Sequence, residues 1–291
     1  MVDFLQQLIN GVAIASVFAL VAVGITLIFG LTGIVNFAHG EFLVVGGFLT
    51  WWLADSGVPY AVAVIIAGLG VGLLGVSLER GLWRFTLEAP INGFIISLGL
   101  SIVLQHLVLK IWDPSATPVS IQSPISGQVQ VGGLVISNVR IMVILLTVVA
   151  LGVTFWAVER TRYGRALRAI AEDRDTAALM AIPVRRYVTA VFGIGSLLAG
   201  LGGALLLALF PISPFSGQTF VIKGFAVALI GGLGNITGAV IAALILGIAE
   251  SLSAGYLAPQ WTDAYAFLLM IAILLFRPQG LLRGTEGSSV A

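Results

Sequence analysis

The side chains of this chain that could do chemistry are sparse, and they fall into three groups. The first is Asn36, His39 and Glu41, crowded into an otherwise apolar stretch. Polar groups at membrane depth are costly unless they pair or face water, so such a cluster is a functional hint. An imidazole at His39 could shuttle a proton, or it could be a helix-packing residue near an interface. At helical spacing Phe37 and Glu41 share a face and His39 turns away from it. A bidentate His–Glu ligand pair is therefore disfavoured, and two residues make a poor metal site in any case. The favoured reading is a structural break that lines or supports a central pathway. The second group is Asn92, Ser97, Ser101 and Gln105, followed by His106. Ser97, Ser101 and Gln105 recur every four residues and form one helical stripe. That stripe could line a pathway or hydrogen-bond to neighbouring helices, and the sequence leaves both open. The third is Gly231-Gly232-Leu233-Gly234-Asn235, a turn signal inside a long apolar run.

Several reaction classes drop out at once. There is no cysteine, so disulfides, thiolate metal sites and Cys nucleophiles are excluded. No nucleophile–base constellation and no metal-ligand cluster emerges. Gly70-Val71-Gly72-Leu73-Leu74-Gly75 has dinucleotide-fingerprint spacing, but it lies within an apolar span with no strand before it. Its Gly68/Gly72 pair reads better as a close helix contact. The Gly231–Gly238 stretch lacks Gly-Lys-Ser/Thr, so the chain carries no recognisable ATPase. A net charge of +1 offers no concentrated basic face to nucleic acid.

The elements that must position these groups follow from composition. Of 291 residues, 59% are apolar and 9% charged, against roughly 25% charged in a soluble domain. That is room for eight or nine spans of about 20 residues. The apolar runs are long and continuous rather than alternating, which argues against a β-barrel. The fold class expected is all-α: a polytopic helical membrane protein with broken or re-entrant helices in the pathway, residues 1–291 forming one transmembrane domain. The 36 glycines suit helices packed closely in lipid. The start of the chain lacks a basic leader region, so its first apolar run is read as a span.

Expected spans cover 5–29, 34–52, 60–78, 91–111, 141–158, 188–210 and 262–276. The run 220–252 is too long for one crossing and is divided at Gly231–Asn235. Pro211 and Pro214 break the chain ahead of it. A polar loop, 113–139, is rich in Ser, Pro, Gly and Gln. Glu79, Glu88 and Glu250 lie near predicted span ends, where a carboxylate can reach water, and are assigned no chemistry.

Short loops rich in Lys and Arg stay cytoplasmic. Segment 159–187 carries Arg160, Arg162, Arg165, Arg168, Arg174, Arg185 and Arg186, half of the 14 basic residues. Placing it inside also places Arg80, Arg84, Arg277 and Arg283 inside if 220–252 crosses twice. Lys110, Arg140 and Lys223 are then outside, together with the 113–139 loop. Nine crossings fit this pattern best, and eight with a re-entrant half-helix is the alternative.

Within 159–187, the run from Arg162 to Asp173 reads as a short amphipathic helix with Leu167, Ile170 and Ala171 on one face. Asp175 is placed to cap a second turn, 176–181, that Pro183 stops. Two small helices of this kind suit docking into a partner's groove; a solvated loop held inside by its arginines is the plainer reading.

A resemblance becomes specific here. The run Thr161–Pro183 is similar to the cytoplasmic coupling segment of branched-chain amino-acid ABC transporter permeases. So are Gly33-Ile34-Val35-Asn36-Phe37-Ala38-His39-Gly40-Glu41, Gly231-Gly232-Leu233-Gly234-Asn235 with Gly238-Ala239, and Arg277-Pro278-Gln279-Gly280-Leu281. These four blocks stand in family order across the whole chain. The Asn-Phe-Ala-His-Gly-Glu block resembles the first of the two homologous permease subunits. The family pattern has Gly where this chain has Ala181, and Pro-Glu where it has Arg174-Asp175.

The resemblance implies a multi-pass permease of a bacterial-type inner membrane, not itself an enzyme and holding no cofactor. ATP and Mg would sit on cytoplasmic ATP-binding subunits gripping Tyr163, Gly164, Arg165, Leu167, Arg168, Ile170, Glu172, Asp173, Ala177, Ala178 and Met180. It further implies a second homologous permease, a periplasmic or extracellular substrate-binding protein, and leucine, isoleucine or valine as substrate. Urea, short amides or other amino acids are family alternatives. An ion-coupled secondary transporter is the competing class, but the chain offers few mid-span carboxylates for a coupling ion.

Overall fold

The computed structural model describes residues 2–87, 89–112, 115, 117–122, 124–257 and 259–282. Glu88, Arg283 and the Asp113 start of the polar loop lie outside the described residues. The helices are α1 (Val2–Thr32), α2 (His39–Asp55), α3 (Tyr60–Gly81), α4 (Pro90–Ile111), α5 (Asn138–Arg160), α6 (Arg162–Glu172), α7 (Arg174–Leu179), α8 (Val184–Leu207), α9 (Ser216–Gly231), α10 (Ile236–Tyr256) and α11 (Thr262–Phe276). Seven helical segments are long and apolar enough to cross a membrane: those of α1, α3, α4, α5, α8, α10 and α11. The other two apolar helices, α2 and α9, have 17 and 16 residues. The expectation of eight to nine spans thus meets seven full-length helices and two short ones.

The all-α expectation needs one correction. Two strands, β1 (Gln128–Val131) and β2 (Leu134–Ser137), pair antiparallel within the polar loop. Gly132 and Gly133 join them, both at positive φ, as a tight two-residue hairpin turn requires. The loop also ends two residues early, because α5 begins at Asn138. Arg140, expected outside between the loop and the span, therefore lies in the first turn of α5.

The centre of the molecule is α1 packed against α8 and α10, with α2 and α9 alongside; α4, α5 and α11 lie at the periphery with mostly exposed apolar faces. Glycines let the central backbones approach closely. A Cβ at Gly203 of α8 would overlap the Leu43 carbonyl of α2, and one at Gly46 would overlap Gly200. Gly68 and Gly72 of α3 press on Leu201 and Leu197 of α8. This is small-residue packing, as the Gly68/Gly72 spacing suggests.

The two short helices are short because the chain re-enters the protein before they begin. Residues 33–38 carry no helix, yet Ile34, Asn36 and Ala38 are buried. His39, the first residue of α2, packs on Gly24 of α1, where a Cβ would come within 2.8 Å of its Nε2. Gly24 lies eight residues before the end of α1, about 12 Å along a helix. So α2 starts well inside the bundle, after an extended ascent. The expected span over 34–52 is correspondingly a coil followed by a helix. After α8 the chain breaks again through 208–215, where Ile212 bridges to Val119. α9 then begins beside the start of α2, with the Gly217 carbonyl against Gly40.

Candidate functional site

Irregular backbone inside a bundle has no helical partners, so other groups must satisfy it. Ser97 of α4 does this for 33–38: its hydroxyl accepts from the Phe37 N–H at 3.0 Å and donates to the Phe94 carbonyl at 2.7 Å. One turn on, the Ser101 hydroxyl donates to Glu41 Oε1 at 3.0 Å. Ser97 thus bonds to the break and Ser101 to α2. Gln105 is half-buried further along the same stripe, and Asn92 is exposed at the start of α4.

Glu41 is buried and lies against the first turn of α9, where a Cβ on Gly217 would come within 2.6 Å of Oε1. A carboxylate beside a helix N-terminus is favourably placed for the helix dipole. His39 faces the other way, between Gly24 and the Phe42 ring at 6.0 Å between centroids. Asn36 is buried, and its amide has no hydrogen-bond partner among the described residues. All three are buried at or just after the break.

The Arg-rich segment forms two helices, α6 and α7. Thr161 caps α6, accepting from the Gly164 N–H at 3.3 Å. Gly164, Leu167 and Ile170 turn inward onto the bundle. A Cβ at Gly164 would overlap the Val158 carbonyl at the end of α5. Arg168 donates to that carbonyl at 2.8 Å and pairs with Glu159 at 3.5 Å.

α7 is capped by Asp173, not Asp175. Its Oδ1 accepts from the Asp175 and Thr176 N–H groups at 2.9 and 3.0 Å. Those bonds, with one from the Thr176 hydroxyl at 2.8 Å, hold the Asp173 carboxyl below its usual range. The helix consequently starts two residues before the expected 176. Of the residues expected to meet a partner, Gly164, Leu167, Ile170 and Ala177 are buried against their own chain. Tyr163, Arg165, Arg168, Glu172, Asp173, Ala178 and Met180 are exposed, and so is Leu179, which is 87% accessible.

Arg174 and Ala181 sit where the family pattern differs, and both have structural work. The Arg174 guanidinium reaches two carbonyl groups, Leu31 at 2.5 Å and Leu87 at 3.1 Å. Ala181 is the one non-glycine residue at positive φ among the described residues, at 60°. It closes α7 with its N–H on the Ala178 carbonyl at 3.0 Å, while Ile182 reaches back to Ala177 at 3.1 Å. That pair of bonds is a Schellman closure, which favours glycine at this position.

The 231–235 turn lies beside α6. Gly232 and Gly234 have positive φ, and Asn235 caps α10 by accepting from the Gly238 N–H at 2.8 Å. Gly30 of α1 meets Gly234 backbone to backbone, and the Leu281 N–H donates to the Ile230 carbonyl at 2.7 Å. Arg174 on Leu31, Gly30 on Gly234 and Leu281 on Ile230 thus gather all four sequence blocks at one end of the bundle, where Gly33 leaves α1.

Three further expectations are corrected here. Lys223, expected on the outer side, is buried in α9, with Nζ 2.8 Å from both Glu250 of α10 and Asp263 of α11. Glu250 and Glu79 are buried rather than water-facing. Glu79 accepts from the Thr189 hydroxyl at 2.6 Å and lies 3.9 Å from Arg84. Charges in an apolar sequence need not mark span ends when a partner waits inside, and Thr189, Glu250 and Asp263 are distant in sequence from the groups they meet.

Comparison with known proteins accords with this arrangement. The chain is 34% identical to the high-affinity branched-chain amino acid transport system permease protein BraD of Pseudomonas aeruginosa, over 99% of this chain and 98% of that one. It is also 34% identical to the corresponding LivH protein of Escherichia coli K12, with the same coverage. Among solved structures, PsaBC from Streptococcus pneumoniae in complex with Fab matches with a TM-score of 0.51 at 15% identity, covering 95% of this chain and 92% of that one, a likeness of fold alone. The family model described as branched-chain amino acid transport system / permease component matches residues 7–274, and the chain belongs to that family.

Proposed function

We propose that this chain is the permease subunit of an ATP-driven importer of branched-chain amino acids, and that α6 and α7 are its contact with the ATP-binding subunits. The observation that carries the reading is near-full-length similarity to two permeases of such systems. The exposed Tyr163, Ala178, Leu179 and Met180 supply an apolar docking tip on an otherwise charged segment. ATP and Mg belong on the partner subunits, and hydrolysis is transmitted rather than performed here.

The mechanism follows from how the segment is tied down. A partner closing on α7 pulls Arg174, and Arg174 holds the last turn of α1 through Leu31. α1 in turn meets the 231–235 turn through Gly30 and Gly234. A displacement at α7 is therefore delivered to α1, α9 and α10 together. The breaks at 33–38 and 208–215 are where the bundle can yield, since neither carries a continuous helical ladder.

In this reading the Arg-rich end is cytoplasmic, the hairpin end is external and the apolar helices make nine crossings of the inner membrane. A second homologous permease completes the pathway, and a periplasmic or extracellular binding protein delivers the substrate. Asn36, His39 and Glu41 support the pathway by holding its break. Purification with native partners tests this directly: ATP-binding chains and a leucine-binding protein should co-purify, and the reconstituted complex should import leucine only with ATP. Ion-gradient-driven leucine flux by this chain alone would overturn it.

A further inference from the structure

A buried ion pair at membrane depth is seldom a device for stability. Desolvating the charges offsets most of the attraction, and apolar replacements of similar volume are often as stable. Ionisable residues inside a bundle point instead to function. Lys223 and Glu250 are such a pair, each less than a tenth exposed, in a chain with only 9% charged residues. Asp263, 60% exposed, reaches the same ammonium from α11.

The pair is not sealed in protein. Both residues line a cavity of about 170 Å³, far above the roughly 10–15 Å³ that one water needs. Its other walls are apolar: Ile14 and Phe18 of α1, Leu209 and Phe210 of the break after α8, and Phe220 of α9. Lys223 Nζ stands 5.5 Å from the centre of the Phe18 ring. A second cavity, about 290 Å³, lies on the hairpin side and shares Ile14, Leu209 and Phe210 with the first. Arg140 lines it, hydrogen-bonded to Asn10. The two chambers are stacked, with three apolar residues between a guanidinium above and a Lys–Glu pair below.

We infer that the lower chamber is a binding site for one zwitterionic aliphatic amino acid, reached from the Arg140 chamber through a gate made by Ile14, Leu209 and Phe210. The ligand's carboxylate lies on Lys223, its ammonium on Glu250 and its side chain among Phe18, Phe210 and Phe220. An ammonium has three N–H donors, so Lys223 can keep Asp263 while it turns from Glu250 to the ligand. Leu209 and Phe210 belong to a break and not to a helix, and their N–H groups share the Leu206 carbonyl at 2.8 Å, so the gate opens by rotation of their side chains. The inference rests on the permease reading and deepens it by giving this subunit a substrate site of its own.

The test uses the purified complex of this chain with its partner subunits, without binding protein or ATP. Photoreactive leucine irradiated with the unaltered protein should label residues within 14–18 or 206–223. Equilibrium binding of leucine should be saturable, with 4-methylpentanoate and isopentylamine, each lacking one charge, competing at least about tenfold more weakly. The double change Lys223→Met with Glu250→Leu removes both charges at similar volume, and should weaken leucine by more than about tenfold while the complex assembles. The swap Lys223→Glu with Glu250→Lys keeps a clamp between α9 and α10 but reverses the site, and should weaken leucine as much. Labelling confined to other segments, or unchanged leucine affinity in the swap, would overturn the inference. If wild type imports leucine once ATP and the binding protein are added back to the same preparation, while labelling falls elsewhere, the site is wrong and the permease reading stands. If no ATP-driven import occurs, the permease reading itself fails.

Discussion

The guanidinium of Arg174, at the start of α7, donates to the carbonyl oxygen of Leu31 in the last turn of α1 at 2.5 Å. The C-terminal carbonyls of a helix have no partner within it, and a cation there also meets the negative end of the dipole. A second bond, to Leu87 at 3.1 Å, fixes the plane of the group. Hydrogen bonds to charged groups contribute about 1.5–3 kcal/mol each. Arg174→Ala should therefore leave the ATP-binding subunits attached, through the exposed face of α7, but reduce leucine imported per ATP hydrolysed. Arg174→Lys should recover only part of the loss, because an ammonium is a point donor and cannot span both carbonyls as a planar fork does. Parallel uptake and ATPase assays check this, and equal coupling in all three proteins would refute the tether.

Gly164 and Ala178 lie on the same segment but answer to different constraints. Gly164 is pressed on the Val158 carbonyl with no room for a methyl group, whereas Ala178 is exposed. Gly164→Ala should lift α6 from α5 and lower the thermal midpoint of the isolated chain, by an overpacking cost of about 1–3 kcal/mol. Ala178→Trp should leave that midpoint unchanged and uncouple ATP hydrolysis from uptake in the complex. Melting curves and coupled transport assays on the two variants separate anchoring from docking.

The Asp173 cap makes the start of α7 sensitive to acid. Its carboxyl is held low mainly by bonds from Thr176, then Asp175. A carboxylate depressed in the folded state contributes fully above its unfolded value, near 4, and that contribution is lost as pH falls through the folded value. The Thr176 amide should stay protected from hydrogen exchange between neutral pH and about 4, and lose protection below it beyond the intrinsic pH trend. Asp173→Asn keeps a capping oxygen without the charge, so its protection should follow the intrinsic trend throughout.

Much of the bundle was legible because apolar runs of membrane length leave few alternatives, and the polar interruption at Asn36, His39 and Glu41 marked a real break. The Gly132-Gly133 turn between alternating Val-containing runs was also a readable hairpin signal, overshadowed by the loop's Ser and Pro content. Lys223 was not legible. A lone lysine in an apolar run reads as a span end, and only the approach of α9, α10 and α11 brings Glu250 and Asp263 to it. The anchoring face of α6 could be read from the spacing of Leu167 and Ile170, but not the choice between Asp173 and Asp175 as cap. That choice depends on the extended conformation of Asp173, at φ −155° and ψ 114°, which the residue type leaves open.

Ala181 offers a change that should improve the protein. At φ 60° an L-residue brings its Cβ close to the following carbonyl, costing about 1–2 kcal/mol that glycine avoids. Both closing bonds of α7, Ala181 to Ala178 and Ile182 to Ala177, use backbone atoms alone, so nothing is lost with the methyl group. Ala181→Gly should therefore stabilise the end of α7 by about 1 kcal/mol, reduced somewhat by the greater freedom of glycine in the unfolded chain. Slower hydrogen exchange at the Ile182 amide would register the gain. Ala181→Val, β-branched at the same dihedral, should speed that exchange and weaken coupling, since α7 then loses the closure that positions Leu179 and Met180. Faster exchange in the glycine variant would contradict the assignment of strain to this residue.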